Sequence, residues 1–263
     1  TPESIPRGSA FDLNQIQLGD DALVLRSGRE EVARALLRFD DQNLYVAWQV
    51  DDLTPLVNTG TVPELAFKSG DAVGVLLAAD GQHDPNQIGG VRVLATLLGD
   101  QPTAVVYRPR GPGDKPFVFE SPVRQSPFQY VAKEPAITVQ ARRHPQSYEV
   151  VASIPWSVFG ITPHDGVTLR GDIEALFGRQ AGGGVERIVR WVDRQTNVVN
   201  DTPTEAEFFP GRWGTLKMGG TRNVESRADG SAAQQSQQDT KDAALGEGLP
   251  TSPKRPLIEP VAS

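Results

Sequence analysis

Apolar residues recur at every second position in short runs along most of this chain, and turn-forming residues separate the runs. The clearest run is NLYVAWQVD (43–51). There Leu44, Val46, Trp48 and Val50 share one face, while Tyr45, Ala47, Gln49 and Asp51 share the other. That alternation predicts a half-buried strand with Trp48 pointing into a core. Similar runs predict strands over 33–39, 71–79, 91–98, 103–109, 136–143, 147–155, 167–177, 186–193 and 212–218. Long amphipathic helices are missing. The best helical segment is one short turn over 156–160, introduced by Pro155. Strands at this spacing without intervening helices predict an all-β fold, an antiparallel two-sheet β-sandwich of jelly-roll type.

The pattern stops at residue 219. From there to 263 the chain has no aromatic residue and few branched aliphatics, but many Ser, Gln, Ala, Asp and Pro. Such a segment buries too little apolar surface to offset a chain entropy of about 1–2 kcal/mol per residue. The expected organisation is therefore an extended N-terminal arm (1–19), a sandwich domain (20–218) and a low-complexity tail (219–263) that orders only on a partner. Within the tail, Lys254, Arg255, Pro256, Leu257 and Ile258 combine charge, proline and aliphatics, a composition suited to a short anchor on a protein subunit.

Composition narrows the chemistry. The 263 residues include no Cys, three His and one Met. A disulfide framework, a cysteine-ligated metal and a cysteine nucleophile are excluded, and little remains for histidine-based chemistry. The balance of 26 basic against 33 acidic residues, a net charge of −7, argues against nucleic acid as a partner. No stretch approaches the roughly 20 apolar residues of a membrane-spanning helix. The start at Thr1 is expected of a processed protein or a fragment. Catalytic patterns are absent; the nearest is Glu205 and Glu207 in TEAE, and sequence proximity alone makes neither a cleft nor a raised pKa. A binding protein is expected, not an enzyme.

Four segments then carry a resemblance. LYVAWQVDDLTPLVN (44–58), FKSGDAVGVLL (67–77), YEVVASIPWSVFGI (148–161) and WVDRQTNVVNDTPTEAEFFPGRWGTL (191–216) occur in the order found in family 9-type carbohydrate-binding domains, and the chain resembles that superfamily over roughly 20–217. The superfamily also includes the DOMON domains, which bind haem or sugar. The resemblance implies a secreted or periplasmic β-sandwich without catalytic activity. Two functions follow as expectations: an accessory subunit of a periplasmic or extracellular assembly docked through its tail, such as an electron-transfer or photosynthetic complex, or an exported module that recognises an oligo- or polysaccharide.

A sugar site needs an aromatic platform and planar polar side chains for the hydroxyls. Trp48, Trp156 and Trp213 are expected in packing roles, and the paired tryptophan clamp of sugar-binding members has no position-by-position counterpart here. Trp191 is the candidate platform. It is flanked by Arg190, Asp193 and Arg194, which could hydrogen-bond hydroxyls or a sugar carboxylate. No cofactor is required. Calcium is the candidate metal, with Asp80, Asp84 and Asn86 in one loop as candidate ligands, although Asp and Asn also favour turns. Haem would call on the single Met218 with a histidine, and His83, His144 and His164 all lie in turn-like segments, so haem is not expected.

Overall fold

The computed structural model describes residues 2–54, 56–81, 83–111, 113–122, 124–179, 184–196 and 205–219. Fifteen strands are present: β1 (Glu3–Ile5), β2 (Leu23–Ser27), β3 (Glu30–Phe39), β4 (Asn43–Asp51), β5 (Ala72–Ala79), β6 (Val91–Leu98), β7 (Gln101–Arg108), β8 (Phe117–Ser121), β9 (Arg124–Phe128), β10 (Tyr130–Lys133), β11 (Thr138–His144), β12 (Ser147–Pro155), β13 (Thr168–Gly178), β14 (Val185–Arg190) and β15 (Gly214–Met218). The single α-helical turn among the described residues, Trp156–Phe159, follows Pro155 and ends on Gly160 in the left-handed conformation (φ 66°).

Two sheets face each other. The larger runs β1-β15-β13-β5-β6-β7-β10, with β14 also on β13; the smaller runs β11-β12-β4-β3-β2. Every pairing is antiparallel except that of β1 with β15. Between the sheets, Leu44, Val46, Trp48 and Val50 of β4 meet Val73, Val75 and Leu77 of β5 in one continuous core, all at most 1% exposed. The alternation read in 43–51 thus places its apolar face where the sandwich closes. The fold class expected from the strand pattern is the one found.

The outer faces of both sheets are covered as well. Over the smaller sheet, Phe11, Leu13, Ile16, Leu18 and Ala22 pack on Leu36, Ala47 and Val151. Residues 1–19 therefore supply both an edge strand and a covering layer. Over the larger sheet lie a 3-10 helix at Pro63–Lys68, the β8–β9 hairpin and the segment 205–213. Aromatic contacts join these pieces. The Phe119 ring meets Phe67 at 5.5 Å and Phe128 at 5.1 Å, Phe128 meets Phe208 at 5.7 Å, and Phe208 stacks on Trp213 at 6.1 Å. This explains why β5 and β6 read as nearly unbroken apolar runs: both of their faces are buried.

Gly90 permits one of these contacts. Its φ is +79°, and a Cβ there would stand 2.7 Å from the Trp213 ring and 2.9 Å from the Leu77 carbonyl oxygen. Strain and overlap together predict that Gly90→Ala destabilises the domain by about 2–3 kcal/mol in urea titration. A loss under about 0.5 kcal/mol would show that Trp213 moves aside freely.

Candidate functional site

Strand β13 has two successive partners on one edge. Residues 168–171 pair with β15, and residues 174–178 pair with β14. At the gap between them, the Asp172 carboxylate substitutes for a strand. Its Oδ1 accepts from the amides of Ile173 (2.8 Å) and Val192 (3.0 Å), and its Oδ2 accepts from that of Asp193 (2.7 Å). The Trp191 amide donates to the Ile173 carbonyl at 2.9 Å. The turn leaving β14 is thus fixed to the sheet by three hydrogen bonds, from Trp191, Val192 and Asp193, at the cost of burying a carboxylate. Burial pushes the Asp172 pKa up to about 6, although the three amides and Arg190 favour the charged form.

That turn delivers Arg190, Asp193 and Gln195 to a pocket of about 330 Å³. Glu207, Phe209 and Arg212 form a second wall, Arg124 of β9 a third, and Asn86 of the β5–β6 loop the fourth. Polar groups are already oriented there. Arg190 Nη1 donates to Asp193 Oδ2 at 3.3 Å, while Asp193 Oδ1 accepts the Gln195 amide at 3.0 Å. Arg124 Nη2 donates to both Glu207 oxygens (2.7 and 2.9 Å), and the Ser126 hydroxyl donates to Glu207 Oε1 at 2.6 Å. Arg212 lies 4.2 Å above the Phe209 ring and donates to Pro85 O (2.7 Å) and Asn86 Oδ1 (3.2 Å).

Behind the pocket, Arg190 Nε donates to Glu174 Oε2 at 3.0 Å, and Arg92 Nε donates to Glu174 Oε1 at 2.5 Å. Arg92 and Glu174 are wholly inaccessible to solvent. The remaining Arg92 nitrogens, Nη1 and Nη2, have no hydrogen-bond partner among the described residues. Instead the guanidinium lies 5.6 Å from the ring centroids of both Phe67 and Tyr107, whose π faces attract the cation. Burial alone pushes the Glu174 carboxyl up, but the two guanidiniums more than offset it and hold the group below the usual glutamate range. Gly74 stands opposite Glu174 in the sheet and leaves the space that its side chain occupies.

The residues singled out from sequence separate here. Arg190 and Asp193 line the pocket. Trp191 does not: it is half-buried against the intersheet core, and its ring lies over Gly214, where a Cβ would stand 2.4 Å away. Arg194 turns outward and donates to the Arg26 carbonyl at 2.6 Å. The other three tryptophans are at most 3% exposed. Asp80 accepts the Gly81 amide and Asp84 the Asn86 amide, both turn-forming bonds, while Asn86 faces the pocket. Among the described residues no three His, Cys, Asp or Glu side chains cluster as metal ligands. Met218 packs inside the intersheet core. Glu205 and Glu207 diverge, the first pairing with Lys68 at 3.6 Å and the second with Arg124. The anchor expected at Lys254, Arg255, Pro256, Leu257 and Ile258, with the rest of 220–263, lies outside the described residues.

Arg124, Gln195, Glu207, Phe209 and Arg212 were not anticipated as site residues. For Glu207, Phe209 and Arg212 the one sequence signal was the concentration of polar and aromatic residues in 205–213, a stretch too polar and irregular for an ordinary strand; Arg124 and Gln195 carried none. A second cleft, of about 750 Å³, includes Glu30, Glu31, Asp51, Asp52 and Glu186. Its only guanidinium, Arg187, lies 4.1 Å above the Phe177 ring. Among its lining residues no guanidinium–carboxylate pair like those of the first pocket is present. No described helix is long and apolar enough to cross a membrane.

Comparison with solved structures agrees with the β-sandwich fold. A family 9 carbohydrate-binding module from Caldicellulosiruptor kristjanssonii, solved in complex with glucose, superposes with a TM-score of 0.50 at 12% identity, covering 86% of this chain and 100% of that one. The fold is that of a family 9 carbohydrate-binding module. A module of the same family and organism in complex with cellotriose gives 0.48 at 14% identity over 86% and 97% of the two chains. No protein-family model matches the sequence, and no curated protein matches it.

Proposed function

We propose that this chain is a non-catalytic, exported carbohydrate-binding domain, and that the pocket between β14, β9 and 205–212 is its saccharide site. The observation that carries this reading is the convergence of planar hydrogen-bonding side chains on one concavity beside a half-buried aromatic ring. Guanidinium, carboxylate and amide groups in fixed orientations match the closely spaced hydroxyls of a pyranose, and Phe209 offers an apolar surface. The pocket volume suits a short saccharide better than a long chain lying flat. The neighbours' glucose and cellotriose complexes agree with this choice of ligand class. An accessory-subunit role would rest on the tail, and no described residue favours it.

Isothermal titration against neutral and acidic mono- and disaccharides tests the reading. Binding in the micromolar to millimolar range is expected, weakened about tenfold or more by Asp193→Ala, which removes an acceptor for hydroxyls and a partner of Arg190. Absence of binding to every saccharide at millimolar concentration would refute it. So would unchanged affinity in the folded Asp193→Ala protein.

A further inference from the structure

Three guanidiniums and two carboxylates line the pocket, and they are not equivalent. Arg124 is matched by Glu207, which it contacts through both oxygens. Arg190 is matched by Glu174 and Asp193. Arg212 has no such counterpart. Its two recorded acceptors are a backbone carbonyl and a side-chain amide, and no carboxylate stands within ion-pair distance of it among the described residues.

Its orientation is nevertheless fixed. Nε is anchored on Pro85 O, Nη2 on Asn86 Oδ1, and the plane rests on the Phe209 ring. A guanidinium restrained in this way is pre-organised for a planar anion, because few rotamers remain to be frozen on binding. A second cation binds the segment that carries Arg212. Arg170 donates to the carbonyls of Pro210 and Trp213 and to Thr215 Oγ1, again neutral acceptors. The protein carries a net charge of −7, so a positive spot at a polar pocket runs against its average.

The carboxylates do not cancel this charge. Glu207 accepts from Arg124 and Ser126, and Asp193 accepts from Arg190 and the Gln195 amide. Each is neutralised in place by its own donor. Among the residues that line the pocket, the surplus is the charge of Arg212.

We infer that the saccharide taken by this pocket is acidic, with its carboxylate paired to Arg212 and its hydroxyls held by Asp193, Gln195 and Asn86. This rests on the pocket being the saccharide site proposed above. Asn86, on the same loop as the acceptor carbonyl of Pro85, then links recognition of the hydroxyls to orientation of the cation. Because Arg212 is half-buried, the ion pair is partly shielded from water yet still sensitive to salt.

Titration with a uronic-acid disaccharide, its neutral counterpart, sodium acetate and inorganic phosphate tests this at low salt. The acidic disaccharide is expected to bind about tenfold more tightly than the neutral one. That preference should shrink at high salt, vanish in Arg212→Gln and partly return in Arg212→Lys, which restores the charge without the planar fork. Circular dichroism and thermal melting confirm that both variants are folded. Equal affinity for the two disaccharides, or a preference that persists in Arg212→Gln, overturns the inference while leaving the saccharide reading intact. Acetate or phosphate binding as tightly as the acidic disaccharide also overturns it, since the pocket would then recognise an anion and not a sugar. Failure of both disaccharides to bind removes the saccharide reading and the inference together.

Discussion

Glu174→Ala is expected to cost the domain about 3–5 kcal/mol, the usual effect of removing one partner from a buried ion pair. The carboxylate serves two guanidiniums at once. Without it, Arg92 is left wholly inaccessible to solvent with three nitrogens unmatched, and Arg190 retains only Asp193 on the side facing the pocket. Rings at 5.6 Å can soften the field of Arg92 but cannot replace a counter-ion. For a domain of this size, 1 kcal/mol corresponds to roughly 2–4 °C, so the melting temperature should fall by about 10 °C or more. Arg92→Met gives the contrasting result. It removes a buried charge together with its two unpartnered nitrogens and leaves Glu174 and Arg190 as a pair, so its cost should be distinctly smaller. A Glu174→Ala protein within about 1 kcal/mol of the parent, or an Arg92→Met protein that is the less stable of the two, would contradict this account of the network.

Asp172 gives the second large effect, and its direction is counter-intuitive. A carboxyl whose pKa is raised on folding binds protons more readily in the native state than in the unfolded chain. Stability should therefore decrease as pH rises from about 4 to about 6, and level off above that. With the native value pushed up to about 6 from 3.8, the span is about 3 kcal/mol for this buried group. Asp71 acts in the same direction. It bonds the amides of Val57 and Gly178, and burial raises it as well, to about 6. Glu174 and Asp40, held below the usual range, lose their contribution only at lower pH, as they become protonated. The melting temperature should accordingly be higher near pH 5 than at pH 7.5. In Asp172→Asn the slope should be shallower, although one amide contact is lost and the parent value at pH 5 is not reached. A melting temperature that rises between pH 5 and 7.5, or a slope unaltered by Asp172→Asn, would contradict the prediction.

The sandwich was legible because its core strands alternate. In 43–51 and 147–155 the alternate apolar positions face the opposite sheet, and the element bounds coincide with the expected ones. Strand β4 is not half-buried as expected, because Ala47 and Val151 on the outer face lie beneath the N-terminal layer. Strands β1, β2, β8, β9 and β10 were not anticipated. They are short, and β9 contains Pro127, which reads as a turn residue; its pairing follows from Phe128 packing against Phe119. The site was only partly legible. Arg190 and Asp193 lie on the pocket side of the chain as it leaves β14, whereas Trp191, between them, points into the sandwich. Adjacency in sequence placed all three together, but the bend at 191–192 that ends β14 brings Asp193 round to the side of Arg190 and leaves Trp191 on the other. Arg124, Glu207 and Arg212 come from segments that meet only when the outer layer folds onto the larger sheet, and no local pattern encodes such a meeting.

That outer layer has an evolutionary consequence. Three of the four pocket walls, from β9, the 205–212 segment and the β5–β6 loop, are not part of the intersheet core, whereas the wall at the end of β14 continues a strand of the larger sheet. Substitution of the exposed side chains on those three walls can thus alter ligand selectivity while the packing between the central sheets is left largely alone. The architecture separates the part of the molecule that must persist from the part that is free to diversify.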